Sequence, residues 1–117
     1  MSARKPDPLV QLYEAWKAAE KRYDRACTAL DRAEEGVGKP LSNAERRTLE
    51  REKAAADAEW YRTVAAIAST PARTVAGLAV KLRFVKRDVI MGPSRYAEQM
   101  VSTAVADALR LAKRGRR

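Results

Sequence analysis

Three carboxylate pairs, Glu34–Glu35, Glu50–Glu52 and Asp57–Glu59, and a single thiol at Cys27 are the groups on which acid–base or nucleophilic chemistry would draw in this chain. General acid–base work needs two carboxyls in divergent environments, one of them buried enough to keep its proton. Each pair here lies among Lys and Arg in polar, helix-forming sequence, so a solvated helix face is the expected setting. Histidine is absent. That removes His-dependent triads and Cys–His nucleophiles, and with one cysteine it also removes the common zinc ligand sets. Gly36-Val37-Gly38-Lys39 has the composition of a phosphate loop without its spacing or a preceding strand, and reads as a hairpin loop. No calcium-loop pattern occurs. Cys27, close to Arg25, reads as a small buried or half-buried side chain. The expectation is a non-enzymatic protein with no cofactor and no metal.

The remaining chemistry is cationic. The chain of 117 residues carries a formal net charge of +9. Residues 1–35 hold seven Lys/Arg and seven Asp/Glu, residues 36–70 hold six and five, and residues 71–117 hold 11 and three. Charge asymmetry of this kind points to an anionic partner, DNA or RNA. The stretch Val80–Arg87, VKLRFVKR, alternates cations with apolar residues. The candidate phosphate contacts are Lys81, Arg83, Lys86, Arg87, Arg95, Arg110, Lys113, Arg114, Arg116 and Arg117. Phe84 decides how that stretch works. Exposed among cations, it would stack on bases; buried, it makes its helix an interior or interface helix. A helix-turn-helix reading would instead give base contacts to Ser94, Arg95, Tyr96 and Gln99, but the link from Asp88 to Pro93 is long and apolar for such a turn.

The elements that must position these cations read as all-α. Alanine dominates the hydrophobic 46% of the chain, and Gly and Pro number five each. A long antiparallel, coiled-coil-like helical hairpin is expected, with two shorter C-terminal helices. Helix one spans 7–35, with Asp7 as N-cap and Pro8 in the first turn. Leu9, Trp16, Tyr23 and Leu30 recur every seventh residue, and Leu12, Ala19, Ala26 and Ala33 follow each by three. Gly36 is the expected helix stop. Helix two spans 42–68 from a Ser42–Glu45 capping box, with Leu49, Ala56, Trp60, Val64 and Ile67 inward and Lys53 interrupting. Antiparallel pairing brings Trp16 and Trp60 into one wide layer. Helix three spans 71–87 from a Thr70 cap, with Val75, Leu78, Leu82, Val85 and Val89 inward. Helix four spans 94–113, with Met100, Ala104, Ala108 and Leu111 inward. Residues 1–6 and 114–117 are tails to one domain of 1–117.

Residues 67–82, Ile-Ala-Ser-Thr-Pro-Ala-Arg-Thr-Val-Ala-Gly-Leu-Ala-Val-Lys-Leu, resemble a stretch in small uncharacterised helical proteins of alphaproteobacteria and their prophages. The resemblance implies a bacterial or phage accessory protein and brings no activity or site with it. Neither a signal peptide nor a membrane span is evident, and a lone cysteine suits a reducing compartment, so a cytoplasmic location is expected. The alternative function is an oligomeric helical adaptor or inhibitor, with a second copy or a protein partner bound through helix three.

Overall fold

The structure is a computed structural model that describes residues 7–91 and 97–115, with side chains described for 7–86 and 98–115. It is all-α: α1 (Pro8–Glu34), α2 (Asn43–Ser69), α3 (Val75–Met91) and α4 (Ala97–Gly115) are the only regular elements among the described residues. The long pair α1 and α2 forms the antiparallel hairpin that the heptad pattern calls for, each helix about 40 Å long at 1.5 Å per residue. The chain divides into two compact units, one of residues 15–62 and one of residues 1–14 with 63–117.

The first unit is the hairpin with its turn. At the end of α1, Gly36 adopts φ +71°. Its amide donates to the Ala33 carbonyl at 3.2 Å and that of Val37 to the Arg32 carbonyl at 2.9 Å, a Schellman ending that only a left-handed residue completes. The capping box then opens α2. The Ser42 amide donates to Glu45 Oε1 and the Glu45 amide to Ser42 Oγ, both at 3.1 Å. Ser42→Ala is expected to cost about 1 kcal/mol and Ser42→Gly only a few tenths, read as shifts in urea midpoint followed by circular dichroism. Between the helices Ala19, Ala26, Leu30 and Ala56 are buried, so small residues let the backbones approach. The wider layer is the expected tryptophan pair: Trp16 and Trp60 lie 6.1 Å apart with rings tilted by 49°. Lys53, which interrupts the apolar face of α2, holds its ammonium 5.8 Å from the Tyr23 ring centre.

In the second unit the first turns of α1 and the end of α2 meet α3 and α4. Leu9, Val64, Ile67, Ala68, Ala72, Val80, Phe84, Met100 and Ala104 are its buried apolar residues. Two expectations are corrected here. Helix three begins at Val75, four residues later than the sequence pattern suggests. Thr70 closes α2 instead, its amide and its hydroxyl both donating to the Ala66 carbonyl. Thr74 is the cap of α3, accepting from the Gly77 amide at 3.1 Å. The inward face also differs. Val75 is 75% and Leu82 52% exposed, and Leu78 and Val85 are half-buried. Gly77, Val80, Lys81 and Phe84 face the interior. Burying Phe84, the bulkiest apolar side chain of this helix, with Val80 and the stem of Lys81 sequesters more surface than the aliphatic row would. Val89 and the Asp88–Pro93 link lie outside the described side chains.

Helix four shows the same kind of shift. Met100, Ala104 and Asp107 are buried and Leu111 half-buried, while Ala108 is exposed. Its helix continues through Arg114 to Gly115, two residues assigned to a tail from sequence.

Candidate nucleic-acid interface

Residues 70–74 connect α2 to α3, and Ala72 is fully buried. The Thr70 amide still bonds back into α2 and the Thr74 carbonyl forward into α3, but the amides of Ala72, Arg73 and Thr74 have side-chain acceptors instead. Backbone groups in such a place need side-chain partners. Two carboxylates 100 positions apart in the chain supply them. Asp7 accepts from the Leu9 amide through Oδ1 at 3.0 Å, which caps α1. Its other oxygen, Oδ2, accepts from the Arg73 and Thr74 amides at 3.0 Å and from the Thr74 hydroxyl at 2.8 Å. One carboxylate thus serves the N-termini of two helices, where the backbone dipoles favour negative charge. Burial alone would push the Asp7 carboxyl up, but these donors together hold it below its ordinary 3.8.

Asp107 holds the other side of the connector. Its Oδ2 accepts from the Ala72 amide at 3.0 Å and from Lys81 Nζ at 2.6 Å. Its Oδ1 accepts from Arg110 at 3.0 Å, and the same guanidinium nitrogen donates to the Ala72 carbonyl. Burial again opposes ionisation, and the bonds from Lys81, Ala72 and Arg110 outweigh it, so the carboxyl lies below 3.8. Thr103 Oγ1 adds a bond to the Ala68 carbonyl at 3.0 Å.

These contacts sort the candidate cations. Lys81 is fully buried in an ion pair and is no phosphate contact, which corrects its assignment from sequence. Arg110 is committed to Asp107 and Ala72, with its side chain 44% exposed. Arg83 is exposed, its guanidinium 5.3 Å from the Tyr13 ring centre. Lys86, Lys113 and Arg114 are exposed. Arg87, Arg95, Arg116 and Arg117 lie outside the described side chains, as do Ser94 and Tyr96. Gln99, the remaining residue of the helix-turn-helix reading, is exposed on the first turn of α4. Phe84 is 7% exposed and meets Tyr13 edge-on, with ring centres 6.1 Å apart. It is an interior residue, not a stacking platform.

The polar residues that sequence reasoning missed are Asp107, Thr74 and the second role of Asp7. A signal for Asp107 exists. Met100, Ala104, Asp107 and Leu111 keep a strict 4-3-4 spacing, better than the row through Ala108, and the acid inside that row has a matching cation at Lys81.

Beside the hairpin turn, an open trough of about 510 Å³ is lined by Arg25, Arg32, Lys39 and Asp24 among small and aliphatic side chains. Among the described residues no cluster of three or more His, Cys, Asp or Glu is placed to hold a metal, and no helix is long and apolar enough to cross a membrane. Compared with known proteins, the chain matches no family model, no curated protein and no solved structure.

Proposed function

We propose that this is a non-enzymatic nucleic-acid-binding protein that contacts phosphates through exposed cations of α3 and α4. The observation that carries this reading is where the charge resides. The unit formed by residues 1–14 and 63–117 holds 13 Lys/Arg against five Asp/Glu, net +8, while residues 15–62 hold 11 against ten, net +1. Within the basic unit the two buried carboxylates are consumed by the connector, so they do not offset Arg83, Lys86, Lys113 and Arg114 at the surface. With Phe84 buried, the contact is electrostatic and sequence-tolerant rather than a stacking platform.

The test is binding of labelled duplex and single-stranded oligonucleotides over a salt series. Four phosphate contacts predict a log–log slope of about −3.6 on duplex. Replacing Arg83, Lys86, Lys113 and Arg114 by Gln is expected to weaken binding at least tenfold at about 50 mM salt and to flatten that slope. Replacing Arg22, Arg25, Arg47 and Arg51 by Gln removes the same charge from the other unit and leaves the slope. Equal losses from both variants, or no binding by micromolar wild type, defeat the reading.

A second reading, recognition of a protein through α3, is favoured by the exposure of two large apolar side chains of that helix, Val75 and Leu82. The pair Val75→Gln and Leu82→Gln removes that apolar surface while leaving oligonucleotide binding intact, which separates the two readings.

A further inference from the structure

We infer that the outer apolar face of α4 docks against the same face of a second copy, antiparallel. Helix α4 carries two rows at 4-3-4 spacing, offset by one residue. Met100, Ala104, Asp107 and Leu111 form the first, turned inward. Val101, Val105, Ala108 and Ala112 form the second, with Leu109 beside it, and all five are exposed. Val101, Val105 and Leu109 are 44%, 55% and 63% exposed. The second row has the repeat of a coiled-coil seam, with branched residues in one half and alanines in the other. Large apolar side chains recurring on one exposed stripe mark an interaction surface.

The charges on α4 say what covers this row. Glu98 lies in its first turn and Lys113 and Arg114 in its last, all exposed. Between them the charges are Asp107, which is buried, and Arg110, which is paired with it on the inward side of the helix. Antiparallel pairing therefore sets Glu98 of each copy toward the cationic end of the other, with Lys113 nearer the seam and Arg114 on the far side adding longer-range charge, and lays the bulkier Val101 half on the alanine half. Parallel pairing would stack cation on cation and valine on valine. The surface is thus self-complementary, as an isologous twofold contact requires. The outer row of α3, exposed at Val75 and Leu82 and half-buried at Leu78 and Val85, differs. Val75, Leu78, Leu82 and Val85 are accompanied by Arg73, Arg83 and Lys86, with no acid among residues 73–86, so two copies of that row would repel. The net charge of the basic unit acts over longer range and is largely screened beyond about 8 Å at physiological salt. The pairing shares Lys113 and Arg114 with the proposed phosphate contacts but requires no nucleic acid, and it is read in its absence.

Sedimentation velocity on the full chain from about 10 to about 500 µM tests it. The weight-average mass is expected to rise from 13.0 kDa toward twice that value. Val105→Glu is expected to weaken association at least tenfold while helicity and the melting midpoint of dilute protein stay unchanged, because Val105 is already exposed. Glu98→Lys is expected to weaken association similarly. Mixing Glu98→Lys chains with chains carrying Lys113→Glu and Arg114→Glu is expected to restore it, since each then meets its opposite. A wild type that stays at 13.0 kDa throughout overturns the inference and leaves the row to a different protein. Association unaffected by Val105→Glu overturns the face, and association unaffected by Glu98→Lys overturns the antiparallel pairing.

Discussion

Asp107→Ala is expected to destabilise the unit of residues 1–14 and 63–117 by about 3–5 kcal/mol, the range for breaking a buried ion pair from one side. The reason lies in what remains. Lys81 Nζ, fully buried, loses the carboxylate at 2.6 Å, and the Ala72 amide loses its acceptor at 3.0 Å. An uncompensated ammonium and an orphaned amide both sit where water does not reach. Arg110 is exposed enough to hydrate and adds little to the loss. The diagnostic comparison is the double variant Lys81→Met with Asp107→Ala. It removes the stranded charge and keeps the apolar stem, so it is expected to be more stable than Asp107→Ala alone despite carrying an extra substitution. Urea unfolding followed by far-ultraviolet circular dichroism measures both. A double variant no more stable than the single one would show that the stranded lysine is not the cause.

The same carboxylate sets an acid limit. Its folded-state pKa lies below 3.8, as does that of Asp7, so both groups bind protons more tightly in the unfolded chain. Their contribution is complete above about pH 4 and is lost as pH falls through the folded values. Wild-type stability should therefore decline on acidification below about pH 4, and Asp107→Ala should flatten that decline while lowering the plateau.

The long hairpin was legible because its periodicity is unopposed: heptad spacing, a capping box and a glycine stop agree over more than 50 residues. Trp16 and Trp60 could be paired from the antiparallel connection alone. The basic unit was not legible to the same depth. Helix three offers two apolar rows, and periodicity ranks the row of Val75, Leu78, Leu82 and Val85 first because it contains no glycine and no charge. The structure buries the row of Gly77, Val80, Lys81 and Phe84 instead. What decides between them is a requirement that periodicity does not register. The connector amides of Ala72, Arg73 and Thr74 lack helical acceptors, and acids from distant positions, Asp107 and Asp7, accept from them. Lys81 must then face Asp107, and Gly77 must face Asp7. A buried lysine and a glycine inside a helix look like defects one at a time, and like partners once the two acids are placed. The same fact thins the candidate interface. A cation in a basic run is read from sequence as solvent-facing, and Lys81 shows that one of them can be internal while its neighbours Arg83 and Lys86 remain outside.

Gly77→Ala is the second large effect, and its sign runs against helix propensity. In an exposed helix interior the change would stabilise by about 1 kcal/mol. Gly77 has no unusual φ to protect, so conformation does not forbid alanine. Space does: a Cβ there would lie 2.2 Å from Asp7 Oδ2 and 2.7 Å from its Cγ. That carboxylate is not a flexible tip free to swing away. It is held by the Leu9, Arg73 and Thr74 amides and by the Thr74 hydroxyl, and moving it breaks the caps of α1 and α3 together. Steric overlap and cap loss combine to an expected cost of about 2–4 kcal/mol. Asp7→Ala alone is expected to cost about 2 kcal/mol through the lost acceptors. In that background the obstacle is gone, so adding Gly77→Ala should be neutral or mildly stabilising. The cycle thus predicts a coupling of at least about 2 kcal/mol between positions 70 residues apart in sequence, read from urea midpoints of the four proteins. Additive effects would mean that the glycine answers to something other than the Asp7 carboxylate. Gly36 is the contrast: nothing lies within 4 Å of its would-be Cβ, its φ is +71°, and a substitution there loses only the left-handed helix stop, about 1 kcal/mol.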